Sequence, residues 1–225
     1  MAVADIPRLA PLSGQARQLV VLLHGLGADG HDLIELGHQW QPWLPDAAFI
    51  APHAPDPCEG APMGRQWFPL TLRDPAEFWR GVTYAGPGLE AFLDAELARY
   101  GLPASKLALV GFSQGAMMAL HVGLRRPTAP AAIVGYSGLL VLESGKGPES
   151  LKSALRSKPP VLLIHGDQDD VVPVEMFFFS KEMLAAAELP CQWHLSRGVS
   201  HTIDEEALRH GGLFLIQAFG LPYPR

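Results

Sequence analysis

Apolar runs recur along the chain, and several empty into a glycine-bearing loop. Residues 18–24 read Gln-Leu-Val-Val-Leu-Leu-His before Gly25, 107–110 read Leu-Ala-Leu-Val before Gly111, and 161–165 read Val-Leu-Leu-Ile-His before Gly166. Runs without polar alternation suit strands covered on both faces of a parallel sheet. Shorter runs at 47–51 and 131–137 read the same way, and 192–196 is the last strand. Between them the apolar spacing turns helical. Leu33, Ile34, Leu36 and Trp40 share one face, as do Leu89, Phe92, Leu93, Leu97 and Tyr100 in a helix over 88–100 that Gly101 ends. Further helices cover 174–188, with Phe177, Phe178 and Phe179, and 204–219, whose first turn is acidic as the helix dipole prefers. Strand alternating with helix predicts an α/β chain with a mostly parallel central sheet and helices on both faces. With no repeat and no composition break, 1–225 reads as a single domain.

Three stretches break this rhythm. Residues 1–17 are a proline-broken lead-in with room for an edge hairpin. Residues 138–158, with Gly, Ser and Lys, read as a surface connection. Residues 52–80 hold Pro52, Pro55, Pro57, Pro62, Pro69 and Pro75, yet also Met63, Trp67, Phe68, Leu70, Phe78 and Trp79. Disordered segments are poor in aromatics, so 52–80 is read as a packed loop forming a lid or pocket wall. Trp67 and Leu70 are its candidate pocket residues, while Phe78 and Trp79 read as core anchors.

The chemistry centres on 107–126. The apolar run ends in Gly111-Phe112-Ser113-Gln114-Gly115, and a helical stretch follows, with Ala116, Met117, Ala119, Leu120, Gly123 and Leu124 as buried positions and Pro127 as its stop. Strand, tight turn and helix with serine at the apex is the Gly-x-Ser-x-Gly nucleophile elbow. The turn requires a strained backbone at Ser113, and a side chain at 111 or 115 would strike the neighbouring strand or helix. A neutral serine is a poor nucleophile, so it needs a base, and the base needs an orienting group.

In elbow proteins these partners follow as acid, then histidine. Of nine histidines, His194, His201 and His210 lie far enough along. His194 falls within a strand and His210 within a helix, whereas His201 lies in a loop able to reach Ser113. The acid comes from Asp167, Asp169 or Asp170, which one strand-end loop holds together; spacing does not separate them. Asp204 reads as a helix-start residue. The developing oxyanion calls for two backbone donors: the Gln114 N–H, and a second from His24-Gly25-Leu26-Gly27. His24 precedes the serine and reads as a loop brace, and Gly135-Tyr136-Ser137-Gly138-Leu139 lacks the closing glycine of an elbow.

Composition narrows the partners. A formal net charge of −6 without a basic run argues against nucleic acid and anionic membrane surfaces. The two cysteines, Cys58 and Cys191, lack C-x-x-C or metal-ligand spacing and read as free thiols. No signal-peptide layout opens the chain and no run is long enough to span a bilayer, so the expected location is the cytoplasm.

Four stretches then take on a family look. They are Leu23-His24-Gly25-Leu26-Gly27-Ala28-Asp29-Gly30; Gly111 to Gly115; His165-Gly166-Asp167-Gln168-Asp169 with Val172-Pro173; and Gly198-Val199-Ser200-His201. In this order they resemble the phospholipase/carboxylesterase family of α/β-hydrolases, which includes acyl-protein thioesterases. The resemblance implies Ser113 as nucleophile, Asp169 as orienting acid, His201 as base, and the Leu26 and Gln114 N–H groups as the oxyanion hole. It implies no metal or cofactor, and a monomer or homodimer. Ala116 stands where the family often has a third glycine, Asp170 where proline is common, and Arg65-Gln66-Trp67-Phe68 looks like the bacterial members. The expected activity is cleavage of short- to medium-chain carboxylic esters or thioesters, small molecules first, with acylated proteins or lysophospholipids as larger candidates. Leu26, Trp67, Leu70 and Val172 are expected to receive the acyl chain. Amide, lactone or carbon–carbon hydrolysis is the alternative on the same triad, and a non-catalytic binding protein the more distant one.

Overall fold

The computed structural model describes residues 6–223. A seven-stranded sheet runs through it in the order β1-β3-β2-β6-β7-β8-β9. These strands are β1 (Arg8–Leu9), β2 (Gln18–Leu23), β3 (Ala47–Ile50), β6 (Leu107–Phe112), β7 (Ala132–Tyr136), β8 (Val161–Gly166) and β9 (Cys191–Ser196). All pairings are parallel except β1 with β3. A separate two-stranded ribbon joins β4 (Asp56–Cys58) to β5 (Ala61–Gln66). The helices are α1 (Gly30–Trp40), α2 (Pro75–Tyr100), α3 (Gln114–Gly123), α4 (Pro148–Ala154), α5 (Val174–Ala186) and α6 (Glu205–Phe219).

The apolar strands sit where continuous runs belong, with helices on either side. Leu19, Val21, Leu109, Ile133 and Leu163 point into one core layer, with α2, α3 and α5 above it. Val20, Leu22, Val110, Val134 and Ile164 point into the opposite layer, under α1 and α6. From β2 the chain crosses to β3 on one side, and from β6 it crosses to β7 on the other. The crevice beyond the C-terminal ends of β2 and β6 is therefore the topological switch point, where open α/β sheets bind ligands.

Three expectations need correction. The lead-in forms no hairpin within the described residues: Arg8 and Leu9 pair antiparallel with Ile50 and Phe49. The edge is anchored by the Arg8 guanidinium, which donates to both Glu96 oxygens at 2.6 Å. Residues 1–5 of that lead-in lie outside the described residues. The long helix begins at Pro75, not at 88, and so takes up the end of the 52–80 segment. Asp74 caps it by accepting the Glu77 N–H at 2.7 Å, and Pro75 fills a first-turn position whose N–H would have no partner anyway. Pro87 lies inside this helix, which packs closely on the 67–68 segment at its N-terminal part: a Cβ at Gly81 would lie 2.2 Å from the Phe68 ring. Finally, 138–158 is no mere surface connection. Leu139, Leu140, Val141 and Leu142 are buried in the core, and α4 follows. Among the described residues, no helix is long and apolar enough to cross a membrane.

Candidate active site

Ser113 closes β6 and opens α3 with φ +54° and ψ −117°, a region that L-residues rarely adopt. The strain is held from both sides. The Ser113 N–H donates to the Tyr136 carbonyl at 2.9 Å, and the Ser113 carbonyl accepts from Ala116 and Met117. The flanking glycines are required by close approach: a Cβ at Gly115 would lie 1.9 Å from the Leu23 carbonyl oxygen, and one at Gly111 2.3 Å from the Gly115 backbone. Gly138 meets the same turn from β7, since its Cβ would lie 2.8 Å from the Ser113 carbonyl oxygen. The Gly-Tyr-Ser-Gly string thus serves packing behind the elbow.

The structure separates the three aspartates. Asp169 Oδ2 lies 2.8 Å from His201 Nδ1, while its Oδ1 accepts the Val171 and Val172 N–H groups at 2.9 and 2.8 Å. Burial would raise this carboxyl, but the His201 hydrogen bond and the two backbone donors outweigh it, and its pKa lies below the ordinary value. Asp167 accepts the Gly198 N–H at 2.6 Å and so fastens the His201 loop, and Asp170 is exposed. A carboxylate at Nδ1 fixes the proton there and leaves His201 Nε2 as the bare nitrogen. The ring rests on Phe112, centroids 4.8 Å apart. His201 and Ser113 line one cavity, whereas His194 and His210 stack on each other away from it.

Leu26 and Gln114 line the same cavity. Among the described residues no protein acceptor meets either backbone N–H. The loop holding Leu26 is pinned by β5: Gly27 donates to the Arg65 carbonyl at 2.9 Å, and Arg65 donates to the Ala28 carbonyl at 2.8 Å. Gly27, at φ +84°, supplies the bend. His24 is fully enclosed. Its Nδ1 faces the Gly25 carbonyl at 2.7 Å and its Nε2 accepts the Ala54 N–H at 2.9 Å, which makes it the neutral Nδ1–H tautomer. Burial accordingly pushes its pKa down.

The cavity measures about 540 Å³, within the range of small-molecule sites. Leu70 and Val172 line it, as do Met117, Leu139 and Met176. Trp67 does not, contrary to the expectation for that residue. Its indole N–H donates to the His24 carbonyl at 2.9 Å, and its ring packs on His24 in the interior. The wall instead includes Phe78 and Arg73, which sequence reasoning assigned to the core or passed over. Also missed was the Gln114 side chain. Its Oε1 accepts the Trp67 N–H at 2.8 Å and its Nε2 donates to the Phe68 carbonyl at 2.7 Å, so it ties the 67–68 segment to the elbow. A long amide beside Ser113 was the available signal.

The phospholipase/carboxylesterase family model matches residues 4–216. The chain belongs to the phospholipase/carboxylesterase family. A solved structure described as esterase PE8 is 46% identical, with a TM-score of 0.89 over 95% of this chain and 98% of that one. Acyl-protein thioesterase 1 of Schizosaccharomyces pombe is 30% identical over 209 residues, covering 90% of this chain and 92% of that protein. Esterase YpfH of Escherichia coli is 28% identical over 205 residues, covering 86% and 80% respectively. As a member of this family with the α/β-hydrolase fold, the chain is a carboxylic ester hydrolase.

Proposed function

We propose that the chain cleaves short- to medium-chain carboxylic esters or thioesters through an acyl-enzyme on Ser113. The observation that carries this reading is the 2.8 Å Asp169–His201 contact on the wall of the cavity that also exposes the elbow serine. His201 Nε2 takes the Ser113 proton as Oγ attacks the acyl carbon. The oxyanion is held by the Leu26 and Gln114 N–H groups, each worth about 2.7–4 kcal/mol of transition-state stabilisation. Collapse expels the alcohol or thiol, which leaves with the proton from His201. Water then attacks the acyl-enzyme with His201 again as base, and the carboxylic acid departs. Asp169 stays ionised throughout and stabilises the imidazolium.

The acyl chain lies along Leu70, Met117, Leu139, Val172 and Met176. Each buried CH₂ contributes about 0.8 kcal/mol, roughly fourfold in kcat/KM, until the wall is filled. The test is kinetic: a chain-length series of matched p-nitrophenyl esters and acyl thioesters, with an amide of the same acyl group. Ester and thioester turnover is expected to rise with chain length, then level off, and to fall by about 10⁴–10⁶-fold in Ser113→Ala. Turnover that survives this substitution, or that is confined to the amide, would overturn the reading. Acylated-peptide and lysophospholipid substrates extend the same series.

A further inference from the structure

A second cluster lies outside the ester-cleaving cavity, on the opposite layer of the sheet. His194 sits on the edge strand β9 in register with Ile164, so its side chain enters the apolar layer under α6. An apolar residue would suit that position. Instead, among the described residues, the His194 Nε2 atom is sealed from solvent without a hydrogen-bond partner. Such a nitrogen is destabilising unless something satisfies it. What stands beside it is a second imidazole and a carboxylate. The His194 and His210 rings lie 4.3 Å apart, and His210 Nε2 is 3.7 Å from Glu206 Oε1, one turn earlier on α6. One donor atom from each of the three lies within 4.8 Å of the others.

We infer that His194, Glu206 and His210 form a binding site for a zinc-class transition-metal ion. Two imidazoles and one carboxylate with a remaining position open to water are a donor set that zinc accepts, whereas calcium and magnesium call for oxygen ligands throughout. Bonds of about 2.0–2.2 Å in a tetrahedron set donor–donor spacings near 3.3 Å. The cluster needs to tighten by only about an ångström or so, within the reach of side-chain torsions. The pairing of Glu206 with His210 at i and i+4 places two ligands on one helix face, as helical metal motifs do. Their side chains are 64% and 39% exposed, which gives the ion a route in from solvent.

The location gives the site a consequence. β9 ends at Ser196 and α6 begins at Glu205, and the loop between them carries His201. An ion bound here joins the two elements from which that loop springs, so occupancy stiffens the platform of His201 without entering the reaction.

The test uses untagged full-length protein stripped with a chelator. Zinc is titrated by calorimetry and cobalt by visible absorption, with thermal unfolding measured alongside. The expected result is one ion per chain, strong visible bands of four-coordinate cobalt, and a higher unfolding temperature with zinc. His210→Ala and Glu206→Gln alter exposed side chains, and circular dichroism checks that they fold. Each is expected to weaken binding by more than tenfold, about what removal of an outer partner of a metal ligand alone would cost. His201→Ala is expected to bind as the parent does. Absence of saturable binding, six-coordinate cobalt bands, undiminished binding in His210→Ala, or loss of binding in His201→Ala would each overturn the site. Because no activity is read, its failure leaves the ester-hydrolase reading untouched.

Discussion

Two strand ends carry the same local text and do different jobs. β2 ends in Leu-Leu-His24-Gly25 and β8 in Leu-Ile-His165-Gly166, and both histidines are 1% exposed. At β2, both ring nitrogens of His24 are used, one by Gly25 and one by Ala54, so the loop bearing Leu26 is clamped. At β8, His165 Nε2 faces the Val172 carbonyl at 2.8 Å and Asp169 Oδ2 at 3.4 Å, and its Nδ1 lacks a partner among the described residues. The glycines differ in the same sense. A Cβ at Gly25 would sit 3.3 Å from Ser113 Cβ, whereas one at Gly166 would sit 2.2 Å from the Val199 carbonyl oxygen. One end presses the Leu26 loop against Ser113. The other brings the His201 loop down onto Asp169. A shared strand-end pattern therefore specifies a crevice, while the partners each histidine finds specify the chemistry.

The largest effect expected at the β8 end is from Asp169→Asn. It leaves the shape but loses the charge and the tautomer control, so kcat should fall by about 10⁴-fold with little change in KM. Asp170→Asn, on an exposed side chain, should stay near the parent. Equal losses in both would erase the distinction drawn between the aspartates.

Next comes stability at the β2 end. His24→Ala leaves the buried Ala54 N–H without its partner, at about 1–3 kcal/mol, and leaves the Gly25 carbonyl only the longer bond from the Ala28 N–H at 3.3 Å. His165→Ala removes the partner of the Val172 carbonyl and relieves the unpartnered His165 Nδ1, so it should cost less in denaturant unfolding. A reversed order would contradict the clamp.

The glycines sharpen the contrast in kinetics. Gly166→Ala must displace the Val199–Ser200 backbone beside His201, and a misplacement of about 1 Å can cost 10²-fold in rate. Gly25→Ala meets its neighbours at 3.2–3.3 Å and should lose less.

Smallest per group and per pH unit is the pH dependence of stability, where both ends act alike. Burial lowers the pKa of His24 and of His165, and with Arg125 nearby it pushes His121 on α3 down to about 3. Each is neutral when folded, so from about pH 6.5 downward the unfolded chain binds protons that the folded chain refuses. Their contribution is present above pH 6.5 and is lost on acidification below it, for His121 as far as about pH 3, by at most about 1.4 kcal/mol per pH unit for each group. His121→Asn should flatten this slope in unfolding curves taken between pH 6.5 and 4. A parent slope of the opposite sign would contradict the assignment of buried neutral rings.

Much of this was legible in the residues. Apolar runs mark β2, β6, β7 and β8 because a strand buried on both faces tolerates little else. The elbow is legible because its glycines answer to backbone contacts one turn away. The start of α2 was hidden, since prolines through Pro75 mark 52–80 as irregular, whereas Pro75 is tolerated in a helix's first turn. Trp67 read as pocket wall because bulk and proximity carry no direction; its indole N–H turns it inward to His24. The tie from Gln114 to the 67–68 backbone joins residues far apart in the chain, so only the fold could reveal it. Separating Asp169 from its neighbours likewise needed the turn that aims one carboxylate at His201.

The central claim is that Ser113 is made reactive by His201 and Asp169 at the mouth of one cavity. Its most direct measurement is intact-protein and peptide mass spectrometry after reaction with a fluorophosphonate. The account predicts a single adduct, on Ser113, with loss of esterase activity in step with labelling, and slow labelling in Asp169→Asn. An enzyme that still turns over esters while Ser113 stays unmodified, or an adduct on another side chain that abolishes turnover, would contradict it.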